Sequence, residues 1–552
     1  MPSTLWSSVT LALAAVSSAR ATSPIVKGSN VSWLGVRNST ANYDYFFNVP
    51  FGQAPVGSLR FKPPVEWSPD TPGVTVNATA YGNSCEEGID RGLSQISEDC
   101  LNLNIWRPSG ITEKVPVLVW IYGGGFYFGA AVGYPGDQIV VSSMRLGKPV
   151  IYVAFNYRTG LFGFPPGQDA AAAGALNLGL KDQRLALEWI QKNIGYFGGD
   201  PTKVTLFGES AGAISTGYQS LYNGGDIGGV FHGMILESGS PSSVNVAPAN
   251  DPVLESAYAF VVNATGCSNS TQKFECVRNA PANVLRQANR DVILPPAEWM
   301  GVDQGPVVLG PVLAPGDVFL PELPSQSLRA GRFAKVPFIN GDELDEGTVF
   351  TNETTPETDE LVIEWLTKQI PGLYFGINNV TAVKELLKFY PADPAAGSPY
   401  NTGNDTFGLA AQFKRLNSIV GDLIFHAARR DHLRIATQFG VDAWSYHHTE
   451  AVPGADAKYG VYHGAELVFV FQVVDPSVPQ GLLDLGEAVI DYWLTFAYTL
   501  NPNPTSGTAR PYWPKYGTNQ TSLGLASNIT IESDTFRSEG IDFIINSPSL
   551  YN

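Results

Sequence analysis

The sequence predicts an α/β protein built on a central, mostly parallel mixed sheet with helices on both faces, and three observations carry that reading. Residues 115–122 (V-P-V-L-V-W-I-Y) and 150–157 (V-I-Y-V-A-F-N-Y) are nearly continuous apolar runs, the pattern of strands buried on both faces. Residues 180–193 follow with Leu185, Trp189 and Ile190 on one side of a helix, so strand and helix alternate as they do when parallel strands are joined by helical crossovers. Residues 197–212 (F-G-G-D-P-T-K-V-T-L-F-G-E-S-A-G) then hold a short β-branched run at 204–207, a glycine-flanked turn at Ser210 and a helix start at Ala211.

The chain has 552 residues, 44% hydrophobic and 15% charged, enough for a large core. Its formal net charge of −17, with no lysine or arginine cluster, argues against nucleic acid and anionic membrane surfaces as partners. The first residues contain a short apolar stretch closed by Ala19-Arg20-Ala21, the small-x-small pattern of signal cleavage. This predicts a signal peptide over 1–21 and a single catalytic domain with insertions over 22–552. The leader is too short to span a bilayer and nothing later is long enough, so a secreted protein without integral membrane association is expected. N-x-S/T sites at Asn30, Asn38, Asn77, Asn263, Asn269, Asn352, Asn379, Asn404, Asn519 and Asn528 fit an exported glycoprotein. Four cysteines allow three pairings, and their local grouping favours Cys85 with Cys100 and Cys267 with Cys276. None has a metal-site spacing.

In chain order, residues 45–64 mix aromatics with Gly and Pro, which predicts short strands and irregular loops at an edge. The stretch between Cys85 and Cys100 is a short, acidic excursion whose large aliphatics are Ile89, Leu93 and Ile96. Residues 101–106 alternate as a strand. The run at 115–122 empties into Gly123-Gly124-Gly125-Phe126, where successive glycines let backbone N–H groups converge on one point, as a developing oxyanion requires. A lone triple glycine reads equally well as an ordinary turn. Later strands are expected at 234–236 and 336–340. The pentad Gly208-Glu209-Ser210-Ala211-Gly212 is the pattern of a nucleophile on a sharp strand-to-helix corner, where only residues without a Cβ let the flanking segments pass closely. With glycine at 57 of 552 positions the pentad alone is weak, and the strand before it, the F-G-G at 197–199 and the upstream glycine turn supply its context.

On these residues the chain resembles the type-B carboxylesterase/lipase family, the branch of α/β-hydrolases that includes cholinesterases and secreted fungal lipases and esterases. Residues 197–212 match its serine signature throughout. Glu98-Asp99-Cys100-Leu101 matches its second signature, with Asn102 where Tyr, Thr or Phe is usual. Further echoes are V-P-F-G with R-F-K-P-P near the start, N-L-G-L-K-D-Q-R-L-A-L at 177–187, and N-P-N with W-P-K-Y at 501–516.

The resemblance implies an α/β-hydrolase fold with Ser210 as nucleophile, Glu346 as acid and His463 as base, and oxyanion N–H groups from Gly124, Gly125 and Ala211. The chain order serine, acid, histidine agrees with that fold. From the residues alone the acid stays open among Asp342, Glu343, Asp345 and Glu346. Among the histidines, His426 and His432 read as helix-surface residues, His447 and His448 as the end of a strand, and His232 precedes the acid. Phe126, Tyr127 and Phe128 are candidates for the acyl pocket or for core packing. The expected reaction is hydrolysis of a small-molecule ester through an acyl-enzyme, which needs neither metal nor organic cofactor. The short acidic loop between Cys85 and Cys100 predicts little interfacial activation and a preference for soluble or short-to-medium acyl esters. The alternatives are a lipase or sterol esterase with a lid from another segment, and an adhesion or binding protein on the same fold.

Overall fold

Fourteen strands form two sheets among the residues that the computed structural model describes, 23–93, 95–293, 309–351, 356–368, 377, 379–503, 510–547 and 550. They are β1 (Ile25–Lys27), β2 (Val31–Leu34), β3 (Val36–Asn38), β4 (Tyr43–Pro50), β5 (Val74–Asn77), β6 (Asn102–Pro108), β7 (Val115–Ile121), β8 (Ile151–Phe155), β9 (Gly199–Glu209), β10 (Gly233–Glu237), β11 (Phe338–Glu343), β12 (Ala443–His448), β13 (Thr521–Leu525) and β14 (Thr530–Ser533). A small sheet has the order β1-β2-β5. The large one runs β14-β13-β12-β11-β10-β9-β7-β8-β6-β4-β3. From β8 through β13 every pairing is parallel, and antiparallel strands close both ends.

The sequence pattern explains the order. β7 is buried at every position and lies between β8 and β9, the place a run without polar residues requires. Helices Ala211–Leu221 and Gln480–Thr499 both pack on β7, β9 and β10, and therefore cover opposite faces. One core spans the sheet, with Trp120 set edge-on against Phe207 and Phe471.

Three expectations need correction. The aromatic stretch at 45–64 contributes an eight-residue strand, β4, because Tyr43–Pro50 pairs with β6 across a bulge between Phe46 and Val49. The strand expected at 336–340 starts at Phe338 and continues to Glu343, since β12 keeps pairing with it from Gly341 opposite Tyr446 to Glu343 opposite His448. His426 and His432 do not lie on a helix surface. Each is 1% exposed, and Arg429 and Arg430 beside them are fully buried. Pairing makes that burial tolerable: Arg429 bonds Asp342 and Asp534, Arg430 bonds Asp534, and His426 Nδ1 lies 2.9 Å from Asp342.

Cys85 pairs with Cys100 and Cys267 with Cys276. The stretch 1–21 and Asn352 lie outside the described residues, while the other N-x-S/T asparagines are exposed apart from the half-buried Asn38. Among the described residues no helix is long and apolar enough to cross a membrane.

Candidate active site

The carboxyl ends of β7, β9, β10 and β11 meet at one place, and the chain turns there are made by glycine. Ser210 follows β9 directly with φ 57° and ψ −127°, a strained conformation for a residue with a side chain, and caps the helix Ala211–Leu221. Its N–H donates to Glu237 O (2.9 Å) and its carbonyl accepts from Ile214 N (2.9 Å), which fixes the corner from both sides. A Cβ at Gly212 would stand 1.9 Å from Ile121 O, and one at Gly208 would stand 2.5 Å from the same oxygen. The strand-turn-helix corner therefore presses against the end of β7. The first N–H groups of the helix point back toward Ser210 without intrahelical partners, and Ala211 is the first residue of that helix.

The triple glycine after β7 lies over the same corner. A Cβ at Gly123 would come within 2.9 Å of Ser210 Cβ and 2.8 Å of Glu209 Oε2. Gly124 and Gly125 have φ of 101° and 58°, and the turn closes as Tyr127 N and Phe128 N both donate to Gly124 O (3.1 Å each). Phe126 is buried against Phe164 and Tyr218 and belongs to the core, whereas Tyr127 and Phe128 are half-buried.

Glu346 opens the short helical turn after β11. Its Oε1 accepts from Glu343 N (2.8 Å), and its Oε2 lies 2.6 Å from His463 Nδ1. The neighbouring acids are engaged elsewhere: Asp342 with Arg429 and His426, Glu343 with His448 Nδ1 (2.5 Å), Asp345 with Ser398, Tyr400 N and Val461 N. Asp345 is a strut that ties the acid's turn to the histidine's loop, and a Cβ at Gly460 would stand 2.2 Å from its carboxylate. The His463 ring sits against Phe425 and Phe350, with centroids 4.5 and 5.0 Å away.

One contact was not foreseen. His463 Nε2 lies 3.0 Å from Glu209 Oε1, so the imidazole stands between two carboxylates. Glu209 is the residue before Ser210, and its position inside the serine pentad was the available signal. Burial alone would depress the His463 pKa, but Glu209 and Glu346 override it and hold the ring well above its ordinary value. Around this pair lie further buried carboxyls. Burial, with Glu209 next, pushes Glu466 up to about 8, and burial with Glu466 nearby raises Glu237 and Glu343 well above the carboxylate range. Glu237 accepts from Trp493 Nε1 (2.7 Å).

The Ser210 corner, the glycine turn and the Glu346–His463 pair gather at one end of the sheet, and the model of the Carboxylesterase family matches residues 22–543. The chain belongs to the carboxylesterase family. It is a carboxylic ester hydrolase. This carboxylesterase is 36% identical over 567 residues to Secreted lipase 1 of Botryotinia fuckeliana, covering 96% of this chain and 94% of the relative. It is 33% identical to Lipase 2 of Geotrichum candidum, over 92% of this chain and 93% of that one. The crystal structure of Aspergillus niger EstA superposes with a TM-score of 0.81 at 27% identity, covering 94% of this chain and 97% of that chain. The fold is that of an α/β-hydrolase carboxylesterase.

Proposed function

We propose that Ser210, His463 and Glu346 act as a catalytic triad and that the N–H groups of Gly124, Gly125 and Ala211 receive the oxyanion. The observation that carries this reading is the His463 imidazole held 2.6 Å from Glu346 on one side while its other nitrogen faces the residue preceding Ser210. Neutral His463 accepts the Ser210 proton through Nε2 as the hydroxyl attacks the ester carbonyl, and Glu346 orients the ring and stabilises the imidazolium. The three N–H groups stabilise the tetrahedral intermediate, each by about 3 kcal/mol. The imidazolium then protonates the leaving alcohol, an acyl-serine remains, and water repeats the sequence. Covalent labelling with a fluorescent organophosphonate tests the assignment: Ser210→Ala is expected to lose the label and all but about 10⁻⁴ of turnover or less. Retained turnover would refute it.

The preferred substrates are soluble or short-to-medium acyl esters. The loop between Cys85 and Cys100 is fastened at both ends: Glu98 bonds the buried Arg60 guanidinium twice, Glu86 bonds Arg286 twice, and Thr159 Oγ1 donates to Glu86 O (2.9 Å). A loop stapled in this way opposes the swing a lipid-triggered cover needs. Initial rates on p-nitrophenyl esters of increasing chain length are expected to peak at short or medium acyl groups, with no step in rate as a triglyceride passes its solubility limit. The names of the relatives favour a second reading, a triacylglycerol lipase, and such a step would establish it. Tyr127 and Phe128, half-buried beside the glycine turn, are the proposed acyl wall.

Export is part of the same proposal. The family match begins at residue 22, one residue beyond the Ala19-Arg20-Ala21 motif. The relative from Botryotinia fuckeliana is named as secreted, and two disulfides and exposed N-x-S/T sites suit an oxidising compartment.

A further inference from the structure

We propose that Glu87 is a positioning residue that holds the oxyanion turn in its working shape by accepting the Gly129 N–H, so that the disulfide loop is a structural part of the catalytic machinery. The inference rests on the reading of Gly124 and Gly125 as oxyanion donors. Glu87 is 1% exposed, an unusual place for a carboxylate whose nearest cation, Arg91, is on its own loop. Its Oε1 accepts from Gly129 N at 2.7 Å. The next residue repeats the grip, since Gly88 N donates to Tyr127 O at 2.7 Å. Two consecutive residues of the loop thus clamp the segment that closes the glycine turn.

That segment governs where the donors point. Gly129 has φ 124°, and a Cβ there would stand 2.6 Å from Gly123 O, so it lies directly behind the triple glycine. A Cβ at Gly124 would stand 2.3 Å from Phe128 O. With contacts this close, a displacement of residues 127–129 moves Gly124 and Gly125 as well. Phe126 anchors the near side of the turn through its buried ring and through its carbonyl, which accepts from Gly160 N (2.8 Å). The glycines contribute no side chains and lose the most backbone freedom on ordering, so the 127–129 side depends on the loop. Arg91 completes the clamp, binding Glu87 through Nη2 (2.5 Å) while its guanidinium lies 5.2 Å from the centre of the Phe128 ring. A buried side-chain oxygen at 2.7 Å is a directional hold on one N–H.

The test compares Glu87→Ala, Glu87→Asp and Glu87→Gln with the wild type on p-nitrophenyl butyrate and on a trifluoromethyl ketone of the same chain length, which forms a reversible tetrahedral adduct. Gln keeps an oxygen for Gly129 N, whereas Asp keeps the charge but falls one methylene short. Ala and Asp are expected to lose about 10- to 100-fold in kcat with KM within twofold, and to lose ketone affinity by the same factor; Gln stays within about threefold of wild type on both. If Ala does not fold, the Gln and Asp pair still decides the matter. Ala or Asp binding the ketone as tightly as wild type would overturn the proposal for Glu87 alone. Wild-type protein that fails to bind the ketone, or Ser210→Ala protein that keeps turnover, would overturn the site reading and this proposal with it.

Discussion

His463 stands between two carboxylates, and a serine triad requires only one of them. Glu346 reaches Nδ1, while Glu209 lies 3.0 Å from Nε2, the nitrogen that takes the serine proton in the triad proposed above. Because the two negative charges hold the imidazole's pKa above its ordinary value, a larger share of the resting protein carries imidazolium, which cannot act as a base. Activity should therefore rise with pH along a limb displaced to the alkaline side of an ordinary histidine. Glu209→Gln removes one raising charge, and the acid limb of kcat/KM is expected to move toward lower pH. An unmoved limb would show that Glu209 does not set the base. None of this was legible in the sequence beyond the letters themselves. The four acids at 342–346 were indistinguishable there, because the choice depends on strand length. Since β11 runs on to Glu343, the alternation of a strand sends Asp342 to Arg429 and Glu343 to His448, which leaves Glu346, in the turn beyond, to reach the histidine.

The serine corner is the element whose sequence and geometry agree most closely, and the reason is steric. Gly208 and Gly212 are fixed by the approach of β7, where Ile121 O leaves no room for a methyl group. Gly212→Ala is expected to cost about 3 kcal/mol or more, seen as a large fall in the thermal midpoint with loss of activity. Gly133→Ala, where an added Cβ meets nothing within 4 Å, is the control and should shift the midpoint by no more than about 1 °C. Equal behaviour of the two would refute the steric account. Local constraints of this kind can be read from a pentad, and the unbroken apolar runs of β7 and β8 show in the same way that these strands are buried on both faces. The disulfide loop is the opposite case. Its sequence reads only as a short, acidic excursion, yet Glu86, Glu87 and Glu98 are all buried, because Arg286, Gly129 N and Arg60 arrive from segments distant in the chain. No local pattern announces such partners.

Across the whole molecule, buried acids fall into two populations with opposite dependence on pH. Burial alone would raise Asp534, Asp342 and Asp422, but Arg429 and Arg430, Arg429 with His426, and Arg537 respectively bring them below the ordinary range. Their contribution to stability is present above the unfolded value of about 3.9 and is lost as pH falls toward their folded values. Glu237 and Glu343 are raised by burial and by Glu466, and Glu466 by burial and by Glu209. Their contribution is complete below about 4.3, and it is lost as pH rises, because the unfolded chain releases protons that the native state keeps. For Glu466 that window extends to about pH 8. The buried His432 and His448, which burial lowers to about 3, act the other way below the unfolded histidine value of about 6.5, so the net weakening is expected between about pH 6.5 and 8. Removing one ionisable group from the cluster should remove part of that slope. Glu466→Gln is expected to flatten the decline in thermal midpoint between about pH 6.5 and 8, both by its own loss and by relieving Glu237 and Glu343 of a neighbouring charge. A slope identical to wild type would mean that the carboxyls at the strand ends ionise in the folded protein much as they do in the unfolded chain, so that the cluster does not set the pH dependence.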